Sequence, residues 1–331
     1  MSVLATGIGS LPGADATAYD EALRTVLGEL PDLPHLPELP GRGAHATMTG
    51  RAVAVMAELG ADVQPAGWRL TEAAGVDQRR ARSLLAQDLD ALEEHTQGYE
   101  GRLKIQVTGP WTLAATVERP RGDKVLADHG ARRELAQALA EGVRGHVADV
   151  RRRVPGADLL VQVDEPALPA VLAGSVPTAS GFHRHRSVDP PGASPALEWV
   201  MSAVTESGAR PVVHCCAVDV PVGLLLGAGA SGLSVDLGVL AVAAYDALAS
   251  AVERGHTLLL GVVPATEPDT APDDGALTER VRRLLDMLGV DPAGARDLVV
   301  TPTCGLAGAT PAWARRAYAL SARTARNLSS D

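Results

Sequence analysis

Short β-rich runs alternate with longer helical patterns along almost the whole chain, and this alternation constrains the fold more than any other feature. Strands that alternate with helices predict βα units and a parallel sheet. Eight strands are predicted, at residues 3–8, 62–64, 103–108, 158–163, 211–214, 232–235, 257–262 and 298–301. Helices are predicted between them, at residues 15–30, 48–59, 77–98, 123–154, 196–207, 240–253, 276–288 and 310–326.

Eight strands in this alternation predict an α/β fold, a single (β/α)8 TIM barrel that forms one catalytic domain over residues 1–331. A doubly wound open sheet is the alternative. Three polar or proline-rich stretches, at residues 31–45, 178–194 and 265–275, are predicted to be long loops at the C-terminal face of the barrel. None of them resembles a linker between independent domains.

Charge and composition exclude several classes of partner. The 331 residues include 30 Lys and Arg against 40 Asp and Glu, a formal net charge of −10 that repels nucleic-acid backbones and anionic lipid. Aromatic residues make up only 3% of the chain, so stacking surfaces for single strands are nearly absent. No apolar run approaches the roughly 18 residues of a membrane helix, and the N-terminus shows no signal pattern. We therefore expect a cytoplasmic protein that binds neither nucleic acid nor membrane.

The residues that could carry chemistry follow the predicted strands. The carboxyl ends of barrel strands share one face, where barrel enzymes build their active sites. Residues scattered along the sequence are thus expected to form one cluster. They are Ser10 after the first strand, residues 108–111 after the third, Asp164 and Glu165 after the fourth, residues 214–216 after the fifth, Asp236 after the sixth and Cys304 after the eighth.

The cysteines indicate a metal site. Three cysteines are an odd number and do not predict a disulfide framework. On an extended segment His214 and Cys216 point to one face, whereas Cys215 points to the other and is predicted to be a core residue. Together with Cys304 and a carboxylate they offer the ligands that catalytic zinc prefers. The alternative is that these side chains simply pack in the core.

Carboxylates and a glycine-rich loop offer further contacts to a ligand. Asp164 and Glu165 are adjacent and therefore diverge, so one can face the site while the other turns into the loop. Glu38 lies in a loop where a carboxylate is normally only solvated. The loop at residues 7–13 is neither a dinucleotide fingerprint nor a P-loop, but its backbone N–H groups can hold a carboxylate.

Two other patterns have simpler interpretations. The glycines at residues 227–232 precede a strand instead of joining a strand to a helix, so a helix-ending turn is expected. The basic cluster at residues 183–186 is interpreted as a solvated surface.

Five runs of the chain resemble the catalytic barrel of cobalamin-independent methionine synthase, in order and spacing over nearly its whole length. They are Thr6-Gly7-Ile8-Gly9-Ser10-Leu11-Pro12, Thr108-Gly109-Pro110, Val163-Asp164-Glu165-Pro166-Ala167-Leu168, His214-Cys215-Cys216 and Thr301-Pro302-Thr303-Cys304-Gly305-Leu306. The resemblance implies a (β/α)8 barrel with a catalytic zinc held by His214, Cys216 and Cys304. It implies a further carboxylate ligand, usually Glu in this family, for which Asp236 fits best.

The resemblance also implies a homocysteine-like substrate. Its carboxylate would meet the backbone of Ile8, Gly9 and Ser10, and its amino group would meet Asp164 and Glu38. Zinc lowers the pKa of a bound thiol, and the resulting thiolate attacks a methyl group.

The chain departs from the family in two respects that bear on the methyl donor. Full-length folate-dependent members carry a second, N-terminal barrel, and they carry a histidine in the loop after the seventh strand, where this chain has none. We therefore expect methylcobalamin, presented for example by a corrinoid protein, to be a better donor than methyltetrahydrofolate. Two alternatives stay open. The barrel could act on another thiol such as coenzyme M or a specialised metabolite, or cleave a thioether; or it could be a degenerate, non-catalytic binding protein.

Overall fold

The computed structural model describes residues 3–290 and 298–330 and shows an α/β fold built on a curled parallel sheet. The strands of the described residues are β1 (Leu4–Ala5), β2 (Gly60–Gln64), β3 (Gly67–Thr71), β4 (Gly101–Thr108), β5 (Ala157–Asp164), β6 (Arg210–Cys215), β7 (Gly232–Asp236), β8 (Thr257–Val263) and β9 (Leu298–Pro302). Seven of them form the sheet, in the order β1-β9-β8-β7-β6-β5-β4, and every pairing in it is parallel.

Eleven α-helices lie in the described part of the chain. Six of them follow an Asp or Thr whose side chain accepts a hydrogen bond from the backbone N–H three residues later. Such caps satisfy backbone groups that the first turn leaves unpaired. The helices are α1 (Ala16–Glu29), α2 (Met48–Val55), α3 (Val76–His95), α4 (Pro110–Thr116), α5 (His129–Arg153), α6 (Leu168–Leu172), α7 (Pro190–Glu206), α8 (Val222–Gly227), α9 (Tyr245–Glu253), α10 (Asp274–Met287) and α11 (Pro311–Ser329). None of them is both long and apolar enough to cross a membrane.

The two faces of the sheet bury different kinds of side chain. The outer face packs against the helices in one large apolar cluster. A separate, small cluster lies on the inner face and consists of Leu33, Leu160, Val212, Leu259 and Val299. Two residues further along β5 and β6, the same face carries Gln162 and His214, because side chains alternate along a strand. The inner face is therefore apolar near the amino ends of the strands and polar near their carboxyl ends.

The prediction for the second strand is wrong. Residues 62–64 lie in β2, which pairs antiparallel with β3 in a hairpin outside the sheet. Residues 34–39 lie instead against both edges of the sheet, through isolated parallel bridges of His35 with Lys104 and of Ser10 with Glu38. Proline at positions 34 and 37 supplies no N–H, so this segment cannot form a regular ladder. The sheet of the described residues thus has seven strands, not eight.

Several predicted helix boundaries also differ. Helix α7 begins at Pro190, inside the loop predicted at residues 178–194, because Asp189 caps it and proline suits a first turn. The helix predicted at 240–253 begins at Tyr245. Helices α4, α6 and α8 have seven, five and six residues, too few for a periodic pattern to reveal them.

Candidate functional site

The carboxyl ends of β6 and β9 bring one histidine and two cysteines together. His214 lies in β6, Cys216 follows that strand, and Cys304 follows β9. Their potential ligand atoms all lie within 4.8 Å of one another, and the two Sγ atoms are 3.1 Å apart. Cys215 is buried in the outer cluster, as predicted from its opposite direction. Three of the four residues predicted as metal ligands therefore meet at one point.

The imidazole of His214 is held in the orientation that a metal ligand needs. Its Nδ1 lies 2.9 Å from Oγ of Ser234, which stands opposite it in β7. Its Nε2 is buried and makes no hydrogen bond of regular geometry within residues 3–290 and 298–330. A buried ring nitrogen without a partner is costly unless something fills the position. Because a metal-binding histidine typically bonds a neighbour through its other nitrogen, this arrangement fits a metal.

A hydrogen bond joins the two thiols and shifts their pKa values in opposite directions. The hydrogen bond from Cys216 lowers the pKa of Cys304 to about 4, and the charge of His214 adds to that effect. The same bond, together with burial, raises the pKa of Cys216 above its ordinary range. Cys304 is therefore a thiolate at neutral pH, and thiolate is the form in which cysteine binds metals.

Asp236 ends β7 and lies outside this cluster. Its carboxylate accepts a hydrogen bond from the N–H of Gly238 at 2.6 Å. Partial burial raises its pKa, and the Gly238 N–H and the charge of Arg280 oppose the shift. Its own loop thus holds the carboxylate, and its role as a fourth ligand stays a prediction.

The adjacent carboxylates of Asp164 and Glu165 point in different directions and have different hydrogen-bond partners. Asp164 is on the inner face, where it accepts a bond from Nε2 of Gln162 at 2.7 Å, and burial raises its pKa to about 7. Glu165 is fully buried and accepts three bonds of 2.8 Å at the start of α4, from the N–H groups of Trp111 and Thr112 and the Thr112 hydroxyl. Asp164 therefore faces the site, whereas Glu165 anchors a helix.

Glu38 is buried in an ion-pair network and is not a solvated loop residue. Its Oε1 accepts bonds from Nε of Arg51 at 3.0 Å and from Nε2 of Gln106 at 3.1 Å. Arg51 also binds Asp88 at 2.6 Å, and Arg42 binds the same carboxylate through two bonds of 2.8 Å. Opposite charges alternate along this network and hold the Glu38 carboxylate in one orientation.

The predicted carboxylate-binding loop lies over the inner face. The carbonyl of Ile8 accepts bonds of 2.8 Å from Nζ of Lys104 and Nε2 of Gln162. A Cβ atom on Gly9 would lie 2.9 Å from the Gln106 side chain, so only glycine fits this close approach. The carbonyl of Ser10 accepts a bond of 2.8 Å from the N–H of Leu306, in the segment that carries Cys304.

Sequence reasoning missed the polar residues beneath these groups. They occupy alternate positions on the inner faces of β4, β5 and β7, a period of two that marks one face of a strand. Their spacing in the sequence was the available signal. The missed inner-face residues are Lys104, Gln106, Gln162 and Ser234. Asp88 on α3 had a helical signal, because it lies between Leu85 and Leu92 on the buried face, whereas Arg51 on α2 had none.

The glycine-rich segment at residues 227–232 forms the expected turn, and the basic cluster at residues 183–186 lies mostly at the surface. Residues 227–232 run from the last residue of α8 to the first residue of β7, and Gly229 between them has a φ of 102°, which suits a helix-ending turn. The basic cluster is mostly exposed, but His185 is buried and pairs with Asp123 at 3.2 Å.

Comparison with solved structures identifies a similar fold. A B12-independent methionine synthase from Shewanella sp. W3-18-1, in complex with selenomethionine, matches with a TM-score of 0.66 at 14% identity, over 100% of this chain and 98% of that one. A β-galactosidase from the psychrophilic Marinomonas ef1 gives a TM-score of 0.49 at 12% identity, over 99% of this chain and 60% of that one. A β-mannanase from the blue mussel Mytilus edulis gives 0.48 at 10% identity, over 98% and 92%. Curated proteins give no significant match.

The family of this chain is identified by comparison with a family profile, because structural similarity at such low sequence identity shows only the fold. The profile described as "Cobalamin-independent synthase, Catalytic domain" matches residues 49–327, which include β2 to β9 and the clustered His214, Cys216 and Cys304. The expectation that methylcobalamin or a corrinoid protein is the methyl donor is therefore not supported, because this family works independently of cobalamin. The chain belongs to the family of cobalamin-independent synthase catalytic domains.

Proposed function

We propose that this protein transfers a methyl group to the sulfur of homocysteine and forms methionine. The observation that carries the proposal is the convergence of His214, Cys216 and Cys304 beside the buried carboxylate of Asp164. A cluster of thiol and imidazole ligands suits activation of a thiol substrate. Membership of the synthase family supports methyl transfer as the reaction.

The clustered residues fit zinc. His214 offers a buried Nε2 that no regular hydrogen bond occupies in the described part of the chain, and Cys304 offers a thiol whose pKa is lowered. We propose that His214, Cys216 and Cys304 hold the ion, with Asp236 as a further carboxylate ligand from the neighbouring strand end. Bound there, zinc lowers the pKa of a substrate thiol so that the thiol reacts as thiolate at neutral pH.

The protein's own side chains would bind the amino-acid part of the substrate. We propose that Asp164 and Glu38 receive its ammonium group, because both carboxylates are buried close to the inner face. The backbone of Ile8, Gly9 and Ser10 would receive its carboxylate. Fixing both charged groups aligns the sulfur for attack, which is a large part of catalysis when two reactants must meet. This pocket favours homocysteine over coenzyme M, which has no amino group.

We further propose that residues 33–39 take the place of the second strand and complete a (β/α)8 barrel. The bridges to Ser10 and Lys104 support this, since they connect the segment with both edges of the sheet. In a barrel the loops after the strands meet at the carboxyl-end face, where the proposed ligands and carboxylates lie.

The donor we propose is a methylated folate. A cobalamin-independent family is consistent with this donor and not with a corrinoid. In the transfer the thiolate attacks the methyl carbon, the carbon–nitrogen bond breaks, and the folate nitrogen keeps the electron pair and takes a proton. Residues 264–290, which follow β8, contain no histidine to give that proton, so the donor needs a direct test.

The test is methionine formation by zinc-loaded protein from homocysteine and methyltetrahydrofolate, with cobalamin excluded. Methionine formation supports the proposal. Transfer only from methylcobalamin would overturn the donor, and transfer to coenzyme M in preference to homocysteine would overturn the acceptor. Absence of transfer with every pair would favour a non-catalytic binding protein.

A further inference from the structure

Lys104 is a fully buried cation on the inner face of the sheet. The chain has only two lysines, Lys104 and Lys124, among its 30 basic residues, so a lysine at this position stands out against a background of arginine. Its ammonium donates to the carbonyl of Ile8 at 2.8 Å and lies 3.4 Å from Oε1 of Gln106. Burial lowers the pKa of Lys104 to about 8, and the charges of Asp164 and Glu38 oppose that shift.

Lys104 contacts the loop that is proposed to bind the substrate carboxylate, because its ammonium donates to the carbonyl of Ile8. The bonds from Lys104 and Gln162 hold that carbonyl from β4 and β5 at once. In a trans peptide the C=O and the following N–H point in opposite directions. A carbonyl directed to Lys104 therefore turns the N–H of Gly9 away from it. A Cβ atom added to Gly9 would lie 2.9 Å from the Gln106 side chain, so this side chain packs closely over the peptide.

The ammonium of Lys104 also interacts electrostatically with Asp164, which is proposed to bind the amino group of the substrate. The charge of Lys104 lowers the pKa of Asp164, against the burial that raises it to about 7. The charge of His214 and the hydrogen bond from Gln162 also lower the pKa of Asp164, whereas the negative charge of Glu38 raises it. Lys104 thus lies on the same face of the sheet as the carboxylate proposed to receive the substrate ammonium.

We propose that Lys104 is a positioning residue for the head group of a zwitterionic α-amino acid. Its bond to the Ile8 carbonyl orients the peptide that receives the carboxylate of this head group. The inference rests on the amino-acid pocket of the proposed function. A thiol without this head group gains nothing from Lys104, and this difference is what the experiment measures.

The experiment compares Lys104→Met with the matched control Lys124→Met. Lys124 is the other lysine and donates to the carbonyl of Ala115, away from the inner face. Calorimetric titration with methionine is expected to show affinity about 10- to 100-fold weaker for Lys104→Met, the range for lost hydrogen bonds to charged groups. Zinc content and affinity for 2-mercaptoethanol are expected to stay unchanged, and Lys124→Met is expected to match the wild type. Unchanged methionine affinity, or equal loss for both probes, would overturn the inference.

A second measurement needs no variant of Lys104. Wild-type protein with ¹³C-labelled lysine has two side-chain signals, and Lys124→Met identifies the one from Lys104. Added methionine is expected to shift the Lys104 signal and leave the Lys124 signal in place; no shift at saturation would overturn the inference. Protein that binds methionine with this shift but transfers no methyl group refutes the proposed function alone. An active enzyme whose Lys104→Met variant binds methionine normally refutes the inference alone, and no methionine binding by the wild type refutes both.

Discussion

The Sγ atoms of Cys216 and Cys304 lie 3.1 Å apart, although they follow strands that are not neighbours. Strands β7 and β8 separate β6 from β9 in the sheet. At about 4.8 Å between adjacent strands, a flat sheet would put these two strand ends roughly 14 Å apart. The contact therefore requires a curled sheet with both following segments turned inward, so the cluster depends on the curvature of the whole fold.

Removal of either clustered thiol is expected to abolish stable zinc binding. In Cys216→Ser and Cys304→Ser a hydroxyl replaces a thiolate, which is the better ligand for zinc. Metal content after purification and dialysis, measured by mass spectrometry, should fall from about one zinc per chain to almost none. Cys215→Ala is the matched control, because this neighbouring cysteine is buried in the outer cluster. Full zinc in both serine variants would contradict the site.

Loss of the Ser234 hydroxyl is expected to weaken zinc binding without abolishing it. Ser234 fixes the ring of His214 through Nδ1, and removal of such a partner typically costs about 10- to 100-fold in metal affinity. Competition with a chromogenic chelator measures this change in Ser234→Ala. The control is Ser231→Ala, whose hydroxyl bonds only the carbonyl of Pro211. Equal affinities in the two variants would show that the hydrogen bond does not orient the ligand.

The sequence predicted those parts of the fold and site that depend on local pattern. Seven of the eight predicted strands coincide with strands of the sheet, because their aliphatic runs are bounded by turns and capped helices. His214, Cys216 and Cys304 were predicted together because each follows a strand, and parallel strands end at one face.

The remainder depends on long-range packing, which no local pattern encodes. Residues 34–39 contact both sheet edges without a strand-like sequence, since proline interrupts their hydrogen bonding. Glu38 looked like a solvated loop carboxylate, and only the fold places Arg51 against it. Asp88 lies three residues after Leu85 and four before Leu92 on the buried face of α3, a helical spacing that separates it from the exposed Asp90. Nothing local, however, indicates that two arginines lie against it.

Neutral replacements of Asp164 and Glu165 are expected to affect different properties: the first should weaken substrate binding, and the second should lower the stability of the fold. Asp164→Asn should weaken homocysteine binding yet keep or raise the free energy of unfolding, because a buried charge is removed and Gln162 can still donate. Glu165→Gln should lower the free energy of unfolding by about 1–3 kcal/mol, because the amide NH2 would face the donors at the start of α4 and leave a buried donor without an acceptor. Titration calorimetry and urea denaturation separate the two effects. Identical behaviour of both variants would contradict the division of roles.

Neutralisation of Asp88 is expected to destabilise the protein strongly. Asp88→Asn leaves Arg42 and Arg51 buried without their shared counter-charge, a change that typically costs about 3–5 kcal/mol. Asp90→Asn on the same helix is the control, because Asp90 pairs with Arg153 at the surface, where an ion pair contributes about 0–1 kcal/mol. Urea denaturation of both variants measures the difference. A small loss in Asp88→Asn would show that the network tolerates a missing charge.

His35 is expected to make the fold sensitive to acid. It is fully buried, with Nε2 2.8 Å from the hydroxyl of Tyr318 and Nδ1 3.2 Å from the carbonyl of Leu36. Burial, and secondarily the charge of Lys104, lowers its pKa from 6.5 to about 3.

Between these two pH values the unfolded chain binds a proton at this histidine and the folded chain does not. The contribution to stability is therefore complete above pH 6.5 and is lost as the pH falls towards 3, by up to about 1.4 kcal/mol per pH unit. In His35→Gln the free energy of unfolding should be lower at pH 7 but should fall less steeply between pH 6.5 and 4 than in the wild type. Urea denaturation at a series of pH values gives both slopes, and parallel slopes would show that His35 is not a source of the acid sensitivity.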